Sequence, residues 1–132
     1  MKKGEKKKMP IKHHNLSKAL DLPYSSITEA NGFIFVSGQI GHLDATGQPL
    51  NTIEEQTIQV LENIKKALET VGATLSDVVK STIYLSDIKY FGQVNEIYKK
   101  YFKAPAPARS TITAGMILPQ ILVEIEVIAC KV

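Results

Sequence analysis

The 132-residue chain has no tryptophan, one cysteine and one arginine. The lone cysteine, Cys130, cannot close an internal disulfide, so nothing here calls for an oxidising compartment, and multi-cysteine zinc sites are excluded. No apolar run approaches the roughly 18 residues needed to cross a bilayer. The N-terminal lysines are not followed by the apolar stretch of a secretory signal, and they lack the arginines and amphipathic pattern of a transit peptide. There is no Walker loop, no Rossmann glycine fingerprint and no Gly-x-Ser-x-Gly elbow. His13, His14 and His42 do not have metal-ligand spacing, because neighbours on a strand point to opposite faces; they read as surface histidines. The expectation is a cytoplasmic protein that uses no metal, no cofactor and no membrane.

What is present is an ordinary domain composition, 44% hydrophobic and 22% charged, long enough to bury a core. The net charge of +3 suggests nucleic acid until it is located. Lys2, Lys3, Lys6, Lys7 and Lys8 face only Glu5, so the first eight residues carry +4 and the remaining eleven basic and twelve acidic residues leave −1. The basic character belongs to a tail, residues 1–10, of the kind that stays disordered. Residues 11–132 form one slightly acidic domain without repeats or linkers.

Periodicity orders that domain as strands, helix, strand, helix, strands. Ile11 to Asn15 suits a short edge strand. Asn31-Gly32 predicts a hairpin turn between Ser26–Ala30 and Phe33–Ser37. Gly38 and Gly41 bracket a place where the backbone can turn or approach a ligand closely. Thr52 to Val71 is the clearest helix: Thr52 and Glu55 make a capping box, Ile53, Val60, Leu61, Ile64, Ala67, Leu68 and Val71 form one stripe, and Gly72 suits the position after its end. In the strand Val78 to Leu85, Val79, Ile83 and Leu85 should share one face. Asp87 should cap a second helix running to about Phe102, with Phe91, Val94, Ile97, Tyr98, Tyr101 and Phe102 as its core side. Pro105 and Pro107 end it, and Ala108 to Ala114 and Ile121 to Cys130 are the last strands. Val123, Ile125, Val127 and Ala129 form one face of the final strand, Leu122, Glu124, Glu126, Ile128 and Cys130 the other. Two amphipathic helices over one face of a mixed sheet make an α+β sandwich, and the half-apolar opposite face points to subunit contact.

Arg109 is the first chemical candidate. Its planar fork suits a bidentate carboxylate pair, in a chain that uses lysine everywhere else. It could instead pair with Glu124 or Glu126 on a neighbouring strand, and the sequence leaves both readings open. Glu124 and Glu126 share a strand face and could do acid–base work if their surroundings tune one of them; otherwise they meet solvent. Cys130, at the end of an apolar strand, reads as a packed thiol.

Phe-Val-Ser-Gly-Gln-Ile at 35–40, Val-Asn at 94–95, Pro-Ala-Arg-Ser-Thr at 107–111 and Val-Glu-Ile-Glu at 123–126 together resemble the RidA family, also called YjgF/YER057c/UK114, over residues 12 to 131. The resemblance implies a chorismate-mutase-like α+β fold of the bacillus type, with a mixed sheet and two helices on one face. It also implies a homotrimer with ligand clefts between subunits. It further implies a cofactor-free 2-iminobutanoate/2-iminopropanoate deaminase, which hydrolyses 2-aminoacrylate-type enamines and imines to 2-oxo acids and ammonia. By the same resemblance Arg109 grips the substrate carboxylate and Glu124 positions the attacking water. Tyr24 and Asn95 line the cleft, and Gly38 and Thr111 contribute backbone groups. Two positions depart from the pattern: Leu22-Pro23-Tyr24 replaces Gly-Pro-Tyr, and Thr111 stands where several members have cysteine. Two other functions compete. One is an RNA-directed endoribonuclease or translation inhibitor, disfavoured by the acidic body. The other is a non-catalytic trimer that holds a small carboxylate.

Overall fold

A computed structural model describes residues 10–17 and 21–131; the expected tail, Pro10 apart, lies outside them. Six strands form one sheet: β1 (Lys12–His14), β2 (Ile27–Ala30), β3 (Phe33–Ile40), β4 (Val78–Leu85), β5 (Ala108–Thr113) and β6 (Val123–Cys130). Their order is β1-β2-β3-β6-β4-β5, antiparallel except for the parallel β4–β5 pair at one edge. The last strand is thus inserted at the centre. Two helices, α1 (Ile53–Thr70) and α2 (Phe91–Tyr101), cover one face.

Local chemistry sets these elements. Asn31 and Gly32 both take positive φ, 52° and 84°, which is the twist a two-residue hairpin requires. Thr52 caps α1 by accepting the Glu55 amide at 3.1 Å. Gly72, at φ 76°, ends the helix, and the Ala73 amide reaches back to the Leu68 carbonyl at 2.9 Å. Every residue of the expected α1 stripe is buried, packed on Ile34, Val36, Ile83, Leu85 and the four core residues of β6. Each buried Val, Ile or Leu among them contributes about 1.5–3 kcal/mol.

Three expectations need correcting. Val79 does not share the core face with Ile83 and Leu85: the β4–β6 register shifts between Val78 and Lys80, so Val78 turns inward and Val79 is 45% exposed. Asp87 does not start α2 directly but caps a short 3-10 turn, Ile88–Tyr90, accepting the Lys89 amide at 2.8 Å. The chain also does not turn between Gly38 and Gly41. β3 runs on to Ile40, with a bulge between Val36 and Gln39 absorbing the irregularity.

One buried polar residue ties the loops to this frame. Gln56 on α1 donates to the carbonyls of Leu50 and Gln120, both at 2.8 Å, and accepts the Leu122 amide at 2.9 Å. It fixes the 114–122 connection where β6 begins.

Candidate active site

Strand parity divides the candidate residues into two groups. Arg109 pairs across the parallel ladder with Ser81, which is fully buried on the helix side. Its guanidinium therefore projects toward α2, with its carbon 4.9 Å from the centre of the Tyr98 ring and 5.8 Å from that of Phe91. The ring faces attract the cation without neutralising it. Tyr98 is fixed beneath it by a 2.6 Å hydrogen bond between its hydroxyl and Ser81 Oγ. Burial pushes the Tyr98 hydroxyl's pKa up, the Ser81 bond and the Arg109 charge opposing, so Tyr98 stays a neutral platform. Phe91, expected in the core, is exposed on its outer side and serves as the other half of the stack.

Thr111 lies two residues beyond Arg109 on the same strand face, and its hydroxyl is buried without a hydrogen-bond partner. Asn95 follows Phe91 by four residues and precedes Tyr98 by three, so it shares the α2 face that carries both rings. Among the described residues Arg109 forms no ion pair. The alternative pairing with Glu124 or Glu126 is thus corrected: both glutamates project from the opposite face of the sheet.

That opposite face carries the second group. Glu124 pairs with Ile40 on β3 and with Tyr84 on β4. Its carboxyl lies directly over Gly38, where a Cβ would run into Glu124 Oε2 and would sit 3.0 Å from its Cδ. Only a residue without a side chain leaves that space free. Burial, and secondarily the nearby Glu126 charge, hold the Glu124 carboxyl above its ordinary value. Tyr84 donates its hydroxyl to Glu126, and that bond, more than burial, raises the Tyr84 pKa. A cavity of about 290 Å³ opens here, lined by Gly38, Tyr84, Glu124, Glu126 and the loop Ala114–Ile117. Tyr84 and this loop were not among the sequence candidates, and Glu126 was one only as the partner of Glu124 in a carboxylate pair. Only the two-residue period of β4 and β6, which sets Tyr84 beside the two glutamates, could have pointed to them.

Tyr24 joins neither group. It is 58% exposed in the loop before β2 and does not line the cavity. A larger open groove, about 660 Å³, runs between the Leu43–Ala45 loop and the outer side of α1. Its Lys65, Lys66, Glu62 and Glu69 belong to the solvated helix face, and none of the candidate residues borders it. His42 is only half-buried, but its Nδ1 is withdrawn from solvent without a partner, so it is not the plain surface histidine expected. Among the described residues, no three His, Cys, Asp or Glu side chains converge as metal ligands would. No helix among them is long and apolar enough to cross a membrane.

Known proteins resemble this chain over most of its length. The family model described as Endoribonuclease L-PSP matches residues 16–131. A RutC family protein of Aquifex aeolicus is 44% identical over 111 residues, covering 83% of this chain and 89% of that one. The mouse protein named 2-iminobutanoate/2-iminopropanoate deaminase is 39% identical, covering 83% of this chain and 82% of its own. Among solved structures, a Mycobacterium tuberculosis member of the YjgF/YER057c/UK114 family superposes with a TM-score of 0.81 at 29% identity, covering 92% of this chain and all of that one.

Proposed function

The chain belongs to the L-PSP family, the YjgF/YER057c/UK114 or Rid proteins, and from that membership we propose that it is a deaminase of small 2-imino acids, working in the cytoplasm as a homotrimer. The observation that carries the reading is the separation of Arg109 from Glu124. A free guanidinium stacked on two rings is a carboxylate clamp without its carboxylate. A glutamate of raised pKa beside a cavity is a proton carrier without its substrate. One chain holds them on opposite faces, so a substrate touching both must lie between two copies. The edge formed by β5 and α2 of one copy would bring Arg109, Thr111 and Asn95. The open sheet face of the next would bring Gly38 and Glu124. Phe33, Phe35 and Ile112, exposed on that open sheet face, supply the apolar surface such an assembly would cover.

The chemistry follows from these parts. The substrate R–C(=NH)–COO⁻ is anchored through its carboxylate by Arg109. Ionised Glu124 takes a proton from water as the water oxygen bonds to the imine carbon. The C=N π electrons pass to nitrogen, which takes that proton from Glu124, giving a carbinolamine. Glu124, ionised again, takes the carbinolamine hydroxyl proton and hands it to nitrogen, the C–N bond breaks, and ammonia leaves as the C=O of the 2-oxo acid forms. Holding water and carbon in contact supplies much of the acceleration, and a carboxyl whose pKa burial has raised serves both proton transfers.

The test is the rate of 2-oxo acid formation from 2-iminopropanoate generated in situ by an amino-acid oxidase, above spontaneous hydrolysis. Wild type should accelerate it and show a native mass of three chains. Arg109→Ala should abolish the acceleration with the circular dichroism spectrum intact, and equal turnover in that variant would sink the reading. Tight carboxylate binding at Arg109 without turnover would support the non-catalytic alternative. For the RNA reading, the two glutamates on the open sheet face would repel phosphate.

A further inference from the structure

Glu126 and Tyr84 have no part in the steps above, yet they are hydrogen-bonded to each other in the wall of the cavity. Alternation along β6 puts Glu124 and Glu126 on one face, two residues apart. Tyr84 stands directly across from Glu124 on β4, while Glu126 stands across from Thr82. The Tyr84 hydroxyl passes over its own cross-strand partner and bonds diagonally to Glu126. It thereby leaves Glu124 Oε2 free above Gly38, turned into the cavity. Among the described residues neither glutamate meets a cation. Lys80, the one basic side chain that β4 sends to this face, donates instead to Ser110 Oγ on β5 at 2.9 Å. The facing positions of β3 carry Gly38 and Ile40, and the loop Ala114–Ile117 carries no titratable group.

We propose that Glu126 is a positioning residue, held in place by the Tyr84 hydroxyl, whose charge beside Glu124 favours the protonated form of Glu124 and so places the acid limb of the enzyme's pH profile. The hydrogen bond gives the two carboxylates different roles. The Tyr84 hydroxyl occupies Glu126 and leaves Glu124 unbonded, and the like charge held beside Glu124 makes its ionisation harder. The unbonded member, facing the cavity, is then the one that takes up and gives back the proton. This assignment rests on the deaminase reading for its kinetic consequence and on geometry alone for its titration.

The experiment is therefore read in two ways on the full chain. In protein labelled with ¹³C at the glutamate carboxyl, the Glu124 resonance should titrate about half to one pH unit lower in Glu126→Gln than in wild type, from a like charge removed at this range in a wet site. In the Glu126→Gln background, Tyr84→Phe should add nothing further to Glu124. On 2-iminopropanoate the acid limb of kcat should move to lower pH with Glu126→Gln, by the same interval as the titration. An unmoved Glu124 titration overturns the proposal whatever the activity. A moved titration in a protein that never hydrolyses imines keeps the carboxylate pair and overturns the deaminase reading. A lowered kcat with an unmoved limb would make Glu126 a merely structural residue, and a further Glu124 shift in the double variant would show Tyr84 acting on Glu124 directly.

Discussion

Replacing Gly38 with alanine separates function from stability more cleanly than removing any charged residue. Gly38 is not in a left-handed conformation, so alanine is allowed there, and a strand residue gains about 0.5–1 kcal/mol over glycine from chain entropy. The added Cβ would sit 3.0 Å from Glu124 Cδ and 3.2 Å from its Cγ, inside ordinary carbon contact, and nearer still to Oε2. What gives way is the end of a flexible side chain, so folding should be close to neutral, with a Tm within about 4 °C of wild type. The carboxylate, however, must move by roughly 1 Å, and a displacement of that size at a reacting group costs on the order of 100-fold in rate. We expect kcat on 2-iminopropanoate to fall by about that factor, or about 2.7 kcal/mol of barrier, with KM nearly unchanged because Arg109 is untouched. Gly41 provides the control. A Cβ there would meet the Gln56 carbonyl at 2.5 Å, Gln59 Cβ at 2.9 Å and the Val60 nitrogen at 3.1 Å, all on the rigid framework of α1. Gly41→Ala should cost about 1–3 kcal/mol of stability by overpacking while each folded molecule keeps its rate. Full kcat in Gly38→Ala, with Glu124 unmoved in its crystal structure, would refute the reasoning. So would a Gly38→Ala protein as destabilised as Gly41→Ala.

Two further outcomes follow from groups outside the cavity. Gln56→Leu keeps the volume but strands the Leu50 and Gln120 carbonyls and the Leu122 amide; we expect a loss of about 2–3 kcal/mol, read as a Tm lower by about 10 °C in thermal denaturation. The Glu29 carboxyl is held below its ordinary 4.5, chiefly by the His14 hydrogen bond at 2.7 Å and also by Lys131 at 3.4 Å. A depressed carboxyl contributes stability above its unfolded value and loses it as pH falls through the folded one. Amide exchange in β1, which pairs only with β2, should therefore accelerate relative to the sheet centre below about pH 4.5, and Glu29→Gln should abolish that pH dependence.

The fold was legible where one local signal decided the outcome. Asn31-Gly32 specified its turn, Thr52 and Gly72 bounded α1, and the alternation from Val123 to Ala129 gave the central strand its core face. Where two residues compete for one ladder position, local pattern is silent. Val78 and Val79 are equally apolar, and only the register against β6 decides which turns inward. The same holds for the 3-10 turn before α2, which Asp87 caps in place of α2 itself, and for Phe91, drawn out of the core to lie under Arg109.

The candidate site depends on register even more. Arg109 and Glu124 lie fifteen residues apart on strands separated by β4, so no spacing rule shows which faces they occupy. The ladders settle it: Arg109 is level with Ser81, which is buried under α2, and Glu124 is level with Tyr84, which is not. A one-residue slip in either ladder would put guanidinium and carboxylate on the same side, where they would neutralise each other as an ordinary ion pair. Their separation leaves each group unsatisfied in a single chain. Among the described residues Arg109, alone among sixteen basic residues in having a guanidinium, therefore stacks on aromatic rings instead of meeting an acid.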